Sequence, residues 1–186
     1  MCADLPQRRM AVTVTPANDI PSRLAAARFL AQEMGDELPL STGAGRVALF
    51  LASLTVPGSL PNPFVDTRWD SRVYLARDER GRAVGVVQTA LANMVSVASV
   101  RGAQTVRFFQ NIVVSSDCRR SGVASSLLDL ADSDPMGLDA PIDSMLAVEP
   151  DNEAAVRLYA GRGFDFLDDE PARDGLRLMV RTSQSL

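Results

Sequence analysis

The segment Ile112-Val113-Val114-Ser115-Ser116-Asp117-Cys118-Arg119-Arg120-Ser121-Gly122-Val123-Ala124-Ser125 constrains this chain more than any other. A β-branched run gives way to a polar turn with one glycine, after which Val123, Leu127, Leu128 and Ala131 recur at helical spacing on one face. The pattern predicts a strand that feeds through a short loop into an amphipathic helix. Such a junction leaves the first turn of backbone N–H groups without intrahelical acceptors, and the helix dipole adds partial positive charge there. The loop is therefore a candidate anion site, and a diphosphate suits it. Gly122 lets the backbone approach a ligand. Arg119 and Arg120 add permanently charged forked donors that match phosphate oxygens.

A second segment sharpens this reading. Val148-Glu149-Pro150-Asp151-Asn152-Glu153-Ala154-Ala155-Val156-Arg157-Leu158-Tyr159 leads into Gly161-Arg162-Gly163-Phe164. Arg-x-x-Gly-x-Ala on a strand-to-helix turn, then Asn-x-x-Ala-x-x-Leu-Tyr and a closing Gly-Phe, resembles the GNAT superfamily of N-acetyltransferases. The resemblance covers about Arg107 to Phe166. It implies a mixed central sheet of about six to seven strands flanked by about four helices, with a splayed pair of parallel strands binding acetyl-CoA. On that resemblance Ile112, Val113 and Val114 present backbone to the pantetheine arm. Arg119, Arg120, Ser121, Gly122, Val123, Ala124 and the Ser125 hydroxyl hold the pyrophosphate. Asn152 reaches the pantetheine, and Tyr159 donates a proton to the departing sulfur.

Other readings of the same residues stay open at this point. Arg119 and Arg120 also suit an exposed basic pair, and Asn152 suits a helix N-cap beside Asp151. Tyr159 fits an amphipathic core position with Leu158 and Phe164. Cys118 reads as a loop spacer rather than a nucleophile.

Histidine is absent, and lysine is absent too, so all 19 basic residues are arginine. That excludes histidine-based triads, histidine metal sites, lysine Schiff bases and Walker-type phosphate loops. Codon bias in a GC-rich genome and selection against acylation of the protein's own side chains both account for the missing lysines. The net charge of −4 and the acids from Asp129 to Glu153 disfavour a nucleic-acid surface.

With 186 residues the chain suits one domain over 1–186, with 1–9 a flexible tail and 105–166 the cofactor-binding core. No apolar run approaches the roughly 20 residues that span a bilayer. Arg8 and Arg9 are followed by no apolar signal core, so a cytosolic protein without a membrane partner is expected. Cys2 and Cys118 cannot build a disulfide framework and are read as free thiols.

Punctuation and periodicity outline an α/β or α+β chain. Strands are predicted at Met10–Thr15, Arg72–Ala76, Ala83–Ala90, Thr105–Val114, Asp143–Val148, Phe164–Leu167 and Leu176–Val180. Helices are predicted over Ser22–Met34, with Asp19 or Ser22 as N-cap, over Gly45–Leu54, over the segment after Gly122, and over Asp151–Gly161. The polar turn Asp78-Glu79-Arg80-Gly81-Arg82 joins a hairpin. Gly43-Ala44-Gly45-Arg46-Val47-Ala48 meets a dinucleotide spacing and leaves a dinucleotide-binding domain as a further reading, but the Leu38–Leu40 run ahead of it is short and proline-broken and reads as no clear strand.

Acetyl transfer to an amine needs the cofactor held, the carbonyl polarised and the leaving thiolate protonated. The resemblance leads to an acetyl-CoA-dependent transfer to a primary amine by direct attack in a ternary complex. The acceptor is a small-molecule or peptide amine, and the assembly is compatible with a homodimer. The strand feeding the loop, Arg107-Phe108-Phe109-Gln110-Asn111, carries no carboxylate to act as base. This favours acceptors of low pKa or a water relay from a distant acid such as Glu149, and it keeps alive a non-catalytic acyl-CoA binder. The acceptor surface is expected around 22–54, 57–70 with Trp69, and 91–105, where no motif stands out.

Overall fold

A computed structural model describes residues 10–34, 71–93, 105–167 and 175–183. Seven strands form one sheet in the order β1-β2-β3-β4-β5-β7-β6. They are β1 (Val12–Pro16), β2 (Ser71–Asp78), β3 (Ala83–Asn93), β4 (Thr105–Val114), β5 (Ser144–Val148), β6 (Asp165–Phe166) and β7 (Arg177–Arg181). The sheet is mixed, because β1–β2, β5–β7 and β6–β7 are antiparallel whereas β4–β5 is parallel. Three helices lie among the described residues: α1 (Ile20–Glu33), α2 (Val123–Ser133) and α3 (Glu153–Ala160). The predicted helix over Gly45–Leu54, the Gly43–Ala48 spacing, Trp69 and Cys2 lie outside the described residues.

The chain forms two compact units, which β3 and β4 each run through. Among the described residues the first holds 10–34, 72–88 and 111–134, and the second holds 71, 89–93, 105–110, 135–167 and 175–183.

In the first unit, α1 starts where Asp19 accepts hydrogen bonds from the Ser22 amide at 2.8 Å and the Ser22 hydroxyl at 3.0 Å. Of the two predicted caps, Asp19 is the one used, and Pro21 sits in the first turn, where no amide donor is needed. Ala26, Ala27, Phe29 and Leu30 on α1 pack with Ala17, Val73, Leu75 and Val86, and Val113 leans on the same cluster. On α2, Val123, Leu127, Leu128 and Ala131 are all buried, the four positions that the periodicity singled out.

Gly85 of β3 explains how closely α2 can lie. A Cβ there would stand 2.9 Å from both Leu127 Cδ1 and Val123 Cγ1, and 3.3 Å from the Val113 carbonyl oxygen. A glycine inside a strand marks this kind of close approach.

In the second unit the core joins Ala92, Val106, Phe108, Met145 and Leu178. Phe164 meets Phe109 edge-on with ring centroids 6.2 Å apart and meets Tyr159 at 6.3 Å. These contacts are of the geometry that aromatic quadrupoles favour.

Candidate anion site at the strand-to-helix turn

β4 changes character within its own length. Its parallel register with β5 pairs Arg107 with Ser144, Phe108 with Met145 and Phe109 with Leu146. Asn111 then adopts φ +51°, a left-handed backbone that asparagine tolerates better than most residues. Its side-chain amide donates to the Gln88 carbonyl oxygen at 2.8 Å. Ile112, Val113 and Val114 continue past the last parallel pair and are half-buried.

A 3-10 turn at Ser116–Cys118 follows, and the chain then reverses through Arg120 at φ +62° and Gly122 at φ +91°. Gly122 is the N-cap of α2, and nothing lies within 4 Å of where a Cβ would stand. The first intrahelical bond runs from the Ser126 amide to the Gly122 carbonyl at 3.0 Å. The amides of Val123, Ala124 and Ser125 thus occupy the turn that has no intrahelical acceptor. The site is a glycine-capped helix start open to solvent, with Arg119 and Arg120 exposed beside it and Ser121 half-buried. Such a cradle fits a diphosphate.

The loop is tied down on several sides. Arg119 Nε donates to the Val114 carbonyl at 3.3 Å, and the Ser121 hydroxyl donates to the Cys118 carbonyl. The Ser115 amide donates to the Val84 carbonyl at 3.0 Å, while its hydroxyl donates to Glu33 at the end of α1, also at 3.0 Å. Arg82 of the β2–β3 turn reaches Asp117 at 2.9 Å and Asp78 at 3.1 Å. Arg82 Nη2 also donates to Cys118 Sγ at 3.5 Å. Hydrogen bonds from Cys118, Ser115 and Arg82 hold the Asp117 carboxyl down at about 2. Burial, followed by the neighbouring Asp117, pushes the Cys118 thiol up. A buried thiol kept protonated in this way is a poor nucleophile, which agrees with its reading as a spacer. An open cavity of about 1010 Å³ lies beside the turn, lined by Ser121, Arg80 and Arg82 together with the acids Asp78, Glu79 and Asp117.

Asn152 and Tyr159 belong to the second unit. The Asn152 side chain accepts from the Ala155 amide at 3.2 Å, so the N-cap reading is realised at the start of α3. Tyr159 lies 7 residues further on, about two helical turns along the same face. It is 7% exposed and packs on Phe164, as the core reading expected. Burial pushes its hydroxyl up to about 12.

Sequence reasoning missed three supporting features. The Arg82–Asp117 and Glu33–Ser115 contacts join distant positions, which single-sequence patterns do not register. Gly85 did carry a signal, an isolated glycine in a strand pattern.

A glycine-capped helix start at a strand-to-helix turn, on a mixed sheet in which β4 and β5 run parallel, makes this α/β protein a candidate for anion binding. The chain belongs to the acetyltransferase (GNAT) family, whose model matches residues 48–164. No curated protein sequence matches it significantly. Among solved structures, Arabidopsis thaliana NAA60 in complex with acetyl-CoA is 18% identical, covering 94% of this chain and 100% of its own, with a TM-score of 0.61. A GNAT-family acetyltransferase from Staphylococcus aureus is 12% identical over 92% of this chain and 99% of its own, at a TM-score of 0.60. The spermidine/spermine N-acetyltransferase SpeG from Vibrio cholerae, in mutant forms, is 16% identical over 92% and 95%, at a TM-score of 0.56. These likenesses show that the fold is shared.

Proposed function

We propose that the protein is an acetyl-CoA-dependent N-acetyltransferase that delivers the acetyl group to a primary amine by direct attack. The glycine-capped start of α2, with its left-handed Gly122 and flanking Arg119 and Arg120, is the single observation that carries this reading. Family membership supports it, as does the likeness to a structure described with acetyl-CoA and to a spermidine/spermine N-acetyltransferase.

When bound, acetyl-CoA supplies an activated thioester carbonyl. The backbone of Arg119 to Ala124 and the Ser125 hydroxyl would hold its pyrophosphate, and Ile112, Val113 and Val114 would offer strand backbone to the pantetheine arm. Asn152, besides capping α3, would contact the same arm.

Tyr159 would donate to the departing sulfur. Its proton affinity sets a limit on how. A hydroxyl at about 12 facing a thiol of about 8.5 transfers its proton uphill by about 3.5 units, or about 5 kcal/mol. Tyr159 therefore acts by hydrogen bonding to the developing thiolate, and the proton that the neutral amine sheds once it has added to the carbonyl is the better thermodynamic source for the thiol. An α-amino group of pKa about 8 is deprotonated at little cost, whereas a lysine-like amine of about 10.4 costs roughly 4 kcal/mol. Acceptors of low pKa are favoured accordingly.

The test is incubation of the pure protein with acetyl-CoA and a panel of amines from polyamines and aminoglycosides to peptide N-termini. Thiol release is followed together with acceptor mass. A gain of one acetyl mass on one acceptor class, matched by free thiol, supports the reading. Tight acetyl-CoA binding without turnover on any acceptor would replace it with a non-catalytic acyl-CoA binder.

A further inference from the structure

The function proposed above leaves unused a cluster that sits against the phosphate turn. The β2–β3 turn is fixed in shape. The Asp78 amide bonds the Arg82 carbonyl at 3.0 Å, the Gly81 amide bonds the Asp78 carbonyl at 2.9 Å, and Asp78 Oδ1 accepts from the Arg80 and Arg82 amides at 3.0 and 2.9 Å. Gly81 takes φ +76° there, a conformation suited to glycine. The result is a rigid hairpin end on which Asp78 Oδ2 braces the Arg82 guanidinium at 3.1 Å. That guanidinium closes on Asp117 at 2.9 Å and on Cys118 Sγ at 3.5 Å, the two residues that enter the phosphate turn. The Cys118 thiol donates in turn to the other Asp117 oxygen at 3.2 Å.

Asp117 is the awkward member of this set. It places a carboxylate two residues before Arg119, in a turn that is otherwise arranged to receive phosphate. An uncompensated carboxylate there repels the ligand and competes for Arg119 and Arg120. Arg82 removes both problems, because it neutralises Asp117 and pins its carboxylate toward the hairpin.

We propose that Arg82 is a positioning residue for the acyl-CoA site: it latches the β2–β3 hairpin to the phosphate turn and keeps Asp117 turned away from the pyrophosphate. The inference rests on the reading of the turn as a coenzyme A site. Its charge component predicts a pattern that a purely structural role does not produce. Arg82→Ala leaves Asp117 held by Cys118 and Ser115 but without a cationic partner, and weakens acetyl-CoA binding by roughly three- to tenfold, more at low salt than at high salt. Turnover at saturating acetyl-CoA is kept. Asp117→Asn placed on the Arg82→Ala background restores most of the affinity, since no charge then needs neutralising. Arg82→Lys keeps the charge but lacks the fork that spans Asp78, Asp117 and Cys118, and so recovers only part.

The experiment is isothermal titration of acetyl-CoA into the wild type, these two single variants and the Arg82→Ala/Asp117→Asn pair at two ionic strengths. Amide hydrogen exchange over residues 115–124 is measured on the same proteins without ligand. Faster exchange in Arg82→Ala, weaker binding, and rescue by Asp117→Asn establish the latch. Unchanged exchange and affinity in Arg82→Ala overturn it, as does weakened binding that Asp117→Asn fails to restore. If the wild type itself does not bind acetyl-CoA, the coenzyme reading falls, and the exchange data alone then decide whether Arg82 orders the turn.

Discussion

Substituting Gly85 by alanine tests how closely α2, which starts at the Gly122-capped turn, is seated on β3. Gly85 does not have a positive φ, so the backbone accepts alanine and only the surroundings object. The added methyl meets Leu127 Cδ1 and Val123 Cγ1 at 2.9 Å, a separation that real Cβ atoms essentially never show. Leu127 is 0% and Val123 1% exposed, so neither can swing into solvent, and the Val113 carbonyl at 3.3 Å blocks relief on the third side. Overpacking of this sort costs about 1–3 kcal/mol. The lost freedom of the unfolded chain returns about 0.4–1 kcal/mol. The net expectation is about 0.5–2 kcal/mol of destabilisation, or a melting temperature lower by roughly 1–8 °C for a chain of this size. Thermal unfolding followed by circular dichroism reads this directly. Val123→Ala removes one of the two clashing methyls, so the double variant should lose less than the two single losses added together. Gly81→Ala is the control, because its cost comes from φ +76° with nothing within 4 Å. A Gly85→Ala protein that melts at or above the wild type would refute the packing argument.

Tyr159→Phe should lower kcat roughly ten- to hundredfold with little change in the KM for acetyl-CoA. Because burial holds the hydroxyl protonated up to about 12, the wild-type pH profile should show no Tyr159-dependent descending limb below pH 10, and such a limb disappearing in the variant would sink the assignment. The same raised value contributes stability that is complete below pH 10 and is lost between about 10 and about 12, measurable by denaturant titration at fixed alkaline pH. Asn152→Ala deletes the cap bond to Ala155 and should cost about 0.5–2 kcal/mol of stability, with Asn152→Asp retaining most of it; equal chemical denaturation midpoints for all three proteins would contradict the capping role. Cys118, 3% exposed and with its thiol pushed up, should resist iodoacetamide at pH 8 in the native state and react on unfolding, so rapid native labelling by mass spectrometry would be evidence against its buried placement.

Much of the frame was legible because it is local. β4 falls on Thr105–Val114 as the β-branched run predicted, and the apolar spacing of α2 picked out its four buried residues. Asp19 and Asn152 act as caps because their short side chains reach amides three residues ahead, a relation visible in sequence. Element ends drifted where side-chain chemistry is neutral to the choice: β2 runs on to Asp78 and β3 to Asn93, further than periodicity indicated. The strand-to-helix turn could be read as a motif, but its supports could not. Arg82 meets Asp117 and Glu33 meets Ser115 only after the sheet has brought distant segments together. The left-handed Asn111, with its bond to Gln88, depends in the same way on the pairing of β3 and β4. The segments expected to border the acceptor carried no motif, and most of them lie outside the described residues.

The central claim is that acetyl-CoA is held at the Gly122-capped turn. Titration of acetyl-CoA into the wild type, Gly122→Asn and Gly122→Asp tests it most directly, because the two variants share the same backbone demand at φ +91° and differ by one negative charge. The account predicts binding by the wild type, a modest loss in Gly122→Asn and a far larger loss in Gly122→Asp. Equal binding by the two variants, or no binding by the wild type, would contradict it.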